Sequence, residues 1–159
     1  MSQAPYPSDR AISGPWTDEQ LRDMPLRGFQ KALGVVYDEI APDRITAHVV
    51  LTEIHRNSVG GLHGGVLMAF ADCLGAVGAL QHLKSGETTA TLESKTNFVG
   101  SGTGNEMRAE CTPIHVGRRT SVWMTKVTNE RGKLLSVTTQ TQIHLSSRTV
   151  TPEQMTLQT

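Results

Sequence analysis

The sequence predicts an α+β chain in which an antiparallel β-sheet wraps around one long central helix. Three observations carry this expectation. Between Asn57 and Leu83 a glycine-rich loop runs into a stretch whose apolar residues Val66, Phe70, Leu74, Val77 and Leu80 recur at helical spacing. On either side of it the apolar residues instead alternate, as in half-buried strands. The alternating stretches are separated by Pro-Asp, Gly-rich and Asn-containing turn signals. A sheet with one apolar face and a single long helix can bury both by wrapping one around the other.

The elements follow in order. Residues 1–15 hold three prolines among small and polar residues and read as a tail. Thr17 then caps a short helix that Pro25 stops. A first strand is expected where Leu33, Val35 and Tyr37 alternate with Gly34, Val36 and Asp38. The Pro42-Asp43 turn joins it to a second, in which Ile45, Ala47, Val49 and Leu51 alternate with polar residues, and the two form an antiparallel hairpin. The central helix is expected from Gly64 to Leu83, closed by Ser85-Gly86. Four strands follow it. Thr88 to Val99 is threonine-rich and mixed in pattern. Glu106 to His115 carries Met107, Ala109 and Cys111 on one parity, and Arg119 to Asn129 has apolar residues on both. Leu135, Val137, Thr139, Thr141, Ile143 and Leu145 form the clearest alternation. The domain is therefore bounded at 30–146, with an N-terminal tail and short helix at 1–29 and a C-terminal tail at 147–159.

Composition narrows the function. Lys plus Arg and Asp plus Glu are equal at 15 each, and the longest basic cluster is Arg118-Arg119, which argues against nucleic acid as a partner. No apolar run reaches the length of a membrane span, and the first residues lack the apolar core of a signal peptide. Cys73 falls on the helix and Cys111 in a strand, without CxxC or Cys/His metal spacing. Both read as small buried hydrophobes in a reducing compartment, and the cytoplasm is the expected location.

The helix start carries the chemistry. Gly60, Gly61, Gly64 and Gly65 surround Leu62 and His63, and a glycine loop opening a helix leaves backbone N–H groups unpaired at the positive end of the dipole. Such a place suits an anion, or an oxygen that becomes one during a reaction. Further along, Asp72, Gly75 and Gly78 all disfavour a helix interior, so something other than propensity must keep them there. Close packing and a solvated acid would explain them. So would a functional carboxylate.

Asn57, the His63-Gly64-Gly65 triplet and Ala71-Asp72, at their spacing, resemble the signature of the PaaI-like acyl-CoA thioesterases of the hotdog fold. The resemblance covers roughly residues 30 to 146. It implies hydrolysis of an acyl- or aroyl-CoA to the free acid and CoA, with no cofactor beyond the CoA of the substrate itself. By the resemblance Asp72 is the reacting carboxylate, as nucleophile or as general base on water, with the choice left open. The Gly64 N–H is the candidate oxyanion donor. Asn57 orients water or the substrate carbonyl, or alternatively holds its loop through an Asx turn. Thr91 helps to hold the attacking water. His63 and Gly65 organise the loop against the substrate, and Arg118 and Arg119 in the VGRR turn are the first candidates for the CoA phosphates, ahead of Lys95 and Arg56. A zinc site from His55, His63 and Asp72 has no known ligand spacing.

Two other readings share the fold. A hotdog hydratase or dehydratase would carry a proline in the loop before the helix, which this chain lacks. A non-catalytic acyl-CoA sensor would carry a DNA-binding segment and has no need of Asp72. Helix geometry adds a constraint, because eight residues separate Gly64 from Asp72, about 12 Å along the axis. One short side chain cannot close that gap within a helix. Either an assignment fails, or the two groups meet across a two-fold homodimer, which the resembling family commonly pairs again into tetramers.

Overall fold

The computed structural model describes residues 28–146. The expected Thr17-capped helix and the C-terminal tail lie outside the described residues. The first described element is a helix, α1 (Gly28–Leu33), where the sequence pattern predicted the start of a strand. Gly34 explains the difference. Its φ of 74° suits glycine, and it closes the helix with paired bonds from Gly34 N to the Lys31 carbonyl (3.0 Å) and from Val35 N to the Gln30 carbonyl (3.1 Å). Leu33 therefore ends a helix, and its apparent alternation with Val35 is accidental. Strand β1 (Val36–Ala41) begins only afterwards and forms the expected antiparallel hairpin with β2 (Arg44–Val50).

A short 3₁₀ turn, Glu53–His55, leads to the central helix α2 (Gly64–Leu80), which is three residues shorter than its apolar pattern suggested. Leu83 is still buried, in the turn that follows, and Gly86 (φ 80°) redirects the chain. Strands β3 (Glu87–Phe98), β4 (Glu106–Val116), β5 (Thr120–Asn129) and β6 (Leu134–Ser146) complete the fold. The six strands form one antiparallel sheet in the order β1-β2-β4-β5-β6-β3. Helix α2 thus carries the chain from the β2 side of the sheet across to the opposite edge, β3.

Phe70, Leu74 and Val77 of α2 pack into a core with Ile45, Val49, Met107, Trp123, Val127 and Leu135. Burying each such side chain stabilises by about 1.5–3 kcal/mol. The two interior glycines of α2 belong to this packing. A Cβ at Gly78 would lie 2.6 Å from the Trp123 ring, and one at Gly75 would overlap the carboxamide of Gln140. Close approach of helix to sheet is what holds glycine at these positions against its propensity cost.

The face of β6 is the largest departure from the sequence pattern. Its apolar parity, Val137, Thr139, Thr141 and Ile143, is only half-buried. Ser136, Thr138, Gln140 and Gln142, on the polar parity, are fully buried under the helix. Strand β3 explains its own mixed pattern through a bulge between Thr91 and Glu93. The extra residue, Leu92, switches the inward parity. Odd-numbered Thr89 and Thr91 face in before it and even-numbered Thr96 and Phe98 after it, as their contacts with Gln142, Asp72, Thr138 and Gly64 show, and the Ser94 hydroxyl is buried.

Candidate active site

The start of α2 has its N–H groups assigned almost one by one. His63 is the N-cap, extended at φ −72° and ψ 131°, and its Nδ1 accepts from Gly65 N at 2.9 Å. Val66 N donates to the His63 carbonyl at 3.0 Å. The Gly64 N–H has no partner among the described residues, and it points from the positive end of a 17-residue helix. The Phe98 ring stands over Gly64, 3.2 Å from where a Cβ would be, so this glycine also serves close packing. His63 faces its own loop and caps the helix. Its neighbour His55 is a buried structural pin, with Nδ1 accepting from Thr52 N (2.8 Å) and Nε2 donating to the Leu33 carbonyl (3.1 Å).

Asn57 organises the preceding loop. Its Oδ1 accepts from Val59 N (3.1 Å) and Gly61 N (3.0 Å), the Asx-turn arrangement. Only its Nδ2 is left without a partner among the described residues. Gly61 in turn sits against this side chain, which leaves little room there for a Cβ.

Two turns along the helix, half-buried Asp72 meets the sheet. Thr91 Oγ1 donates to Asp72 Oδ1 at 3.0 Å, and Gln140 Nε2 donates to the same oxygen at 3.3 Å and to the Asp72 carbonyl at 3.4 Å. Behind Thr91, Gln142 Nε2 donates to Thr91 Oγ1 at 2.8 Å. Asp72 Oδ2 makes no hydrogen bond to the described residues. The structure therefore brings Thr91 to Asp72, and leaves Gly64, Gly65, His63 and Asn57 as a separate group at the helix start. Gln140 and Gln142 were not singled out from sequence. Their signal was a run of polar residues on one parity of a strand, which reads as a solvated face unless the helix opposite is known to be small and polar there.

Arg118 and Arg119 are exposed on the β4–β5 turn, which the bond from His144 N to the Arg119 carbonyl (2.8 Å) ties to β6. Thr91, Gln142 and Ser121 lie in one transverse row of the sheet. Arg119 is two residues beyond that row, so the turn sits at the Asp72 end of the sheet, two strand spacings or about 10 Å across. Arg56 is committed to the Gly60 and Gly104 carbonyls (3.2 and 3.3 Å).

The two cysteines offer no reactive thiolate. Both are free and buried. Burial, and secondarily the Asp72 charge, push the Cys73 thiol up to about 12, and burial pushes Cys111 up to about 12 as well. Neither is a thiolate at neutral pH. The Tyr37 phenol, which donates to Gln30 Oε1 at 3.0 Å, is likewise raised, first by burial and then by its cysteine neighbours. Among the described residues no group of three or more His, Cys, Asp or Glu is placed to hold a metal ion, and no helix is long and apolar enough to cross a membrane.

Known proteins resemble both the sequence and this geometry. The thioesterase superfamily model matches residues 59–136, from the glycine loop to β6. A 1,4-dihydroxy-2-naphthoyl-CoA hydrolase of Listeria monocytogenes is 29% identical over 110 residues, spanning 69% of this chain and 89% of that protein. A hydrolase of the same name from Escherichia coli is 28% identical over 102 residues, 64% of this chain and 75% of its own. Among solved structures, a thioesterase from Haemophilus influenzae superposes with a TM-score of 0.77 at 26% identity, covering 84% of this chain and 94% of that one. With a helix start and a helical carboxylate inside the matched region, the chain belongs to the thioesterase superfamily, as a thioester hydrolase of the hotdog fold.

Proposed function

We propose that the chain hydrolyses acyl-CoA thioesters, aroyl-CoA foremost, to the free acid and CoA. The observation that carries this is the Asp72 carboxylate, held through Oδ1 by Thr91 and Gln140 with Oδ2 left to react. Oδ2 either attacks the thioester carbonyl, expelling the CoA thiolate and leaving an anhydride that water cleaves, or takes a proton from the water that attacks. In both routes the carbonyl oxygen gains charge, and the unpaired Gly64 N–H at the helix start is the donor that meets it. Asn57 contributes its Nδ2, and His63 and Gly65 hold the shape of the loop.

Beside the helix start lies an apolar cleft of about 420 Å³, lined by Phe29, Leu33, Ile54, His63, Val66 and Ala69. That volume suits the acyl part of a ligand of ordinary size. The two hydrolases compared above are named for a bicyclic aroyl-CoA, which supports an aromatic acyl group for this cleft. Arg118 and Arg119 are the cations we assign to the CoA phosphates. The free buried cysteines support a reducing, cytoplasmic location.

A second copy completes the site in this reading. Within one chain Gly64 and Asp72 remain about 12 Å apart along α2. Both, however, lie along the β3 edge of the sheet, Gly64 against Phe98 and Asp72 against Thr91. The outer edge of this 12-residue strand pairs with nothing among the described residues, and Leu92 (60%) and Phe98 (53%) are well exposed on it. Two such edges joined antiparallel about a dyad near Ser94–Lys95 would set Thr91 of one copy opposite Phe98 of the other. Asp72 of one chain would then face Gly64 of its mate, twice per dimer. Pairing of these dimers into a homotetramer is the further assembly we expect.

Release of free thiol from benzoyl-, phenylacetyl-, hydroxybenzoyl- and medium-chain acyl-CoAs tests the proposal. Turnover of at least one aroyl-CoA, lost about 100-fold or more in Asp72→Asn, is the expected outcome. No release from any substrate would overturn it.

A further inference from the structure

We propose that Gln140 and Gln142 of β6 are positioning residues for Asp72, Gln140 by direct donation and Gln142 through Thr91. The inference rests on Asp72 being the reacting carboxylate. Both glutamines are 0% exposed, on a strand parity that packing alone would fill with apolar side chains. Each bond in the set has a direction that can be worked out. A carboxylate only accepts, and a threonine hydroxyl carries one proton. Thr91 can give that proton to Asp72 only if its other neighbour does not need it. Gln142 meets the condition, because its Nε2 donates to Thr91 Oγ1 at 2.8 Å. With this carboxamide turned over, Oε1 would face Thr91 and draw the proton away from Asp72. The Asp72 carboxylate favours the orientation shown, because the reverse would cost it the Thr91 proton; Thr89 Oγ1, 3.0 Å from Gln142 Oε1 and 3.0 Å from the Ile143 carbonyl, has one proton for two acceptors and can serve either orientation.

Gln140 has the same constraint for a different reason. Its Nε2 faces two acceptors, Oδ1 and the carbonyl of Asp72, so the reverse orientation would set oxygen against oxygen. Its own Oε1 is buried without a partner. A buried orphan oxygen is a cost that an apolar side chain of equal length would avoid, so packing does not account for the residue. Gly75 makes the space for it, since a Cβ there would collide with the carboxamide. The result is that Oδ1 is occupied by two donors and the carboxylate plane is fixed, with Oδ2 presented away from the sheet. Holding a reacting group in one geometry acts on turnover and leaves binding nearly untouched.

The test measures kcat and KM with hydroxybenzoyl-CoA for single and double variants, with thermal melts to establish folding. Wild type and Asp72→Asn set the range, and equal rates for these two would remove the reading of Asp72 itself. With Asp72→Asn inactive, Thr91→Val is expected to lower kcat about tenfold at unchanged KM, the scale of one charge-assisted hydrogen bond. Thr91→Ser, which keeps the hydroxyl, is expected to restore kcat. Gln142→Met is expected to match Thr91→Val, and the double variant to be no slower than Thr91→Val alone, because both remove one relay. Gln140→Met is expected to lower kcat about tenfold at unchanged KM. Full kcat in Gln142→Met, or a double-variant loss equal to the product of the singles, would overturn the relay. Full kcat in Gln140→Met would remove Gln140 from the set. If Gln142→Met fails to fold, Gln142→Leu carries the relay test, with the same tenfold fall in kcat expected at unchanged KM; unchanged kcat there would overturn the relay equally.

Discussion

Gly78→Ala is the substitution whose outcome separates helix propensity from packing. Adding a methyl in a helix interior stabilises by up to about 1 kcal/mol. Here the methyl carbon would stand 2.6, 2.7 and 2.8 Å from three carbons of the Trp123 ring, against the 3.5–4.0 Å at which carbon atoms attract. Trp123 is fully buried and its Nε1 donates to Ser121 Oγ at 2.9 Å, so the ring cannot turn aside without breaking that bond. Overpacking of this kind costs about 1–3 kcal/mol. Contacts about 1 Å too short belong to the upper part of that range, about 2–3 kcal/mol, so the net effect is a loss of about 1–2 kcal/mol. Urea unfolding followed by circular dichroism at fixed protein concentration would show a lower midpoint with an unchanged slope. Trp123→Phe removes ring atoms from the same spot, so the double variant should be less destabilised than the two singles summed, by 0.5 kcal/mol or more. A Gly78→Ala protein as stable as wild type, or more so, would refute the close-packing account of this glycine.

Three further outcomes are expected. Asn57→Ala and Asp72→Ala chains, each inactive alone, should recover about a quarter of wild-type activity when unfolded and refolded together, since random pairing yields mixed dimers with one intact site; background activity in proven mixed dimers would show that both groups act from one chain. His63→Ala should destabilise the protein by about 1 kcal/mol through loss of the cap on Gly65, measured by thermal unfolding, while the pH–rate curve keeps its shape. The cysteines make stability fall in alkali: both thiols are raised to about 12 in the folded chain from an ordinary 9.0, so the unfolded chain releases protons first. That contribution is complete below pH 9 and declines towards pH 12, by about 1.4 kcal/mol per pH unit for each thiol, and Cys111→Ala should flatten the decline in urea titrations.

The helix and strand β2 were legible because each keeps one period and starts beside an explicit signal, the His63-Gly64-Gly65 triplet and the Pro42-Asp43 turn, whereas β1 is interrupted by a bulge between Tyr37 and Glu39. By resemblance Thr91 was expected to help hold the attacking water; its hydrogen bond to Asp72 itself was not read from the sequence. What stayed hidden depended on residues that break a period or invert it. Leu92 shifts the inward parity of β3 in mid-strand, and no count along the sequence shows where. In β6, Val137 and Ile143 mark an apolar face that is only half-covered, while Gln140 and Gln142 go inside to meet Asp72 and Thr91. Which parity faces the helix depends on what the helix presents, so it is a tertiary fact. The Arg118-Arg119 turn was visible as a turn, but its place at the Asp72 end of the sheet comes only from the register of β5 against β6.

The polar lining of β6 also bears on how the molecule opens. Strands β2, β4 and β5 are anchored to the helix by Ile45, Val49, Met107, Cys111, Trp123 and Val127, all fully buried. Beyond Leu135, the residues β6 buries are Ser136, Thr138, Gln140 and Gln142, and β3 meets the helix through Thr91 and Phe98. Apolar burial therefore ends where the half of the sheet that meets Asp72 begins, and the β3–β6 ladder is held mainly by its own backbone bonds and a few polar contacts. Such a unit exchanges its amide protons through partial opening long before the whole chain unfolds. Hydrogen exchange should accordingly find a slow block over β2, β4 and β5, and over β3 a protection that depends on whether its outer edge is paired with a second copy. The contact of Thr91 with Asp72 thus lies on the strand with the least apolar anchoring to the helix.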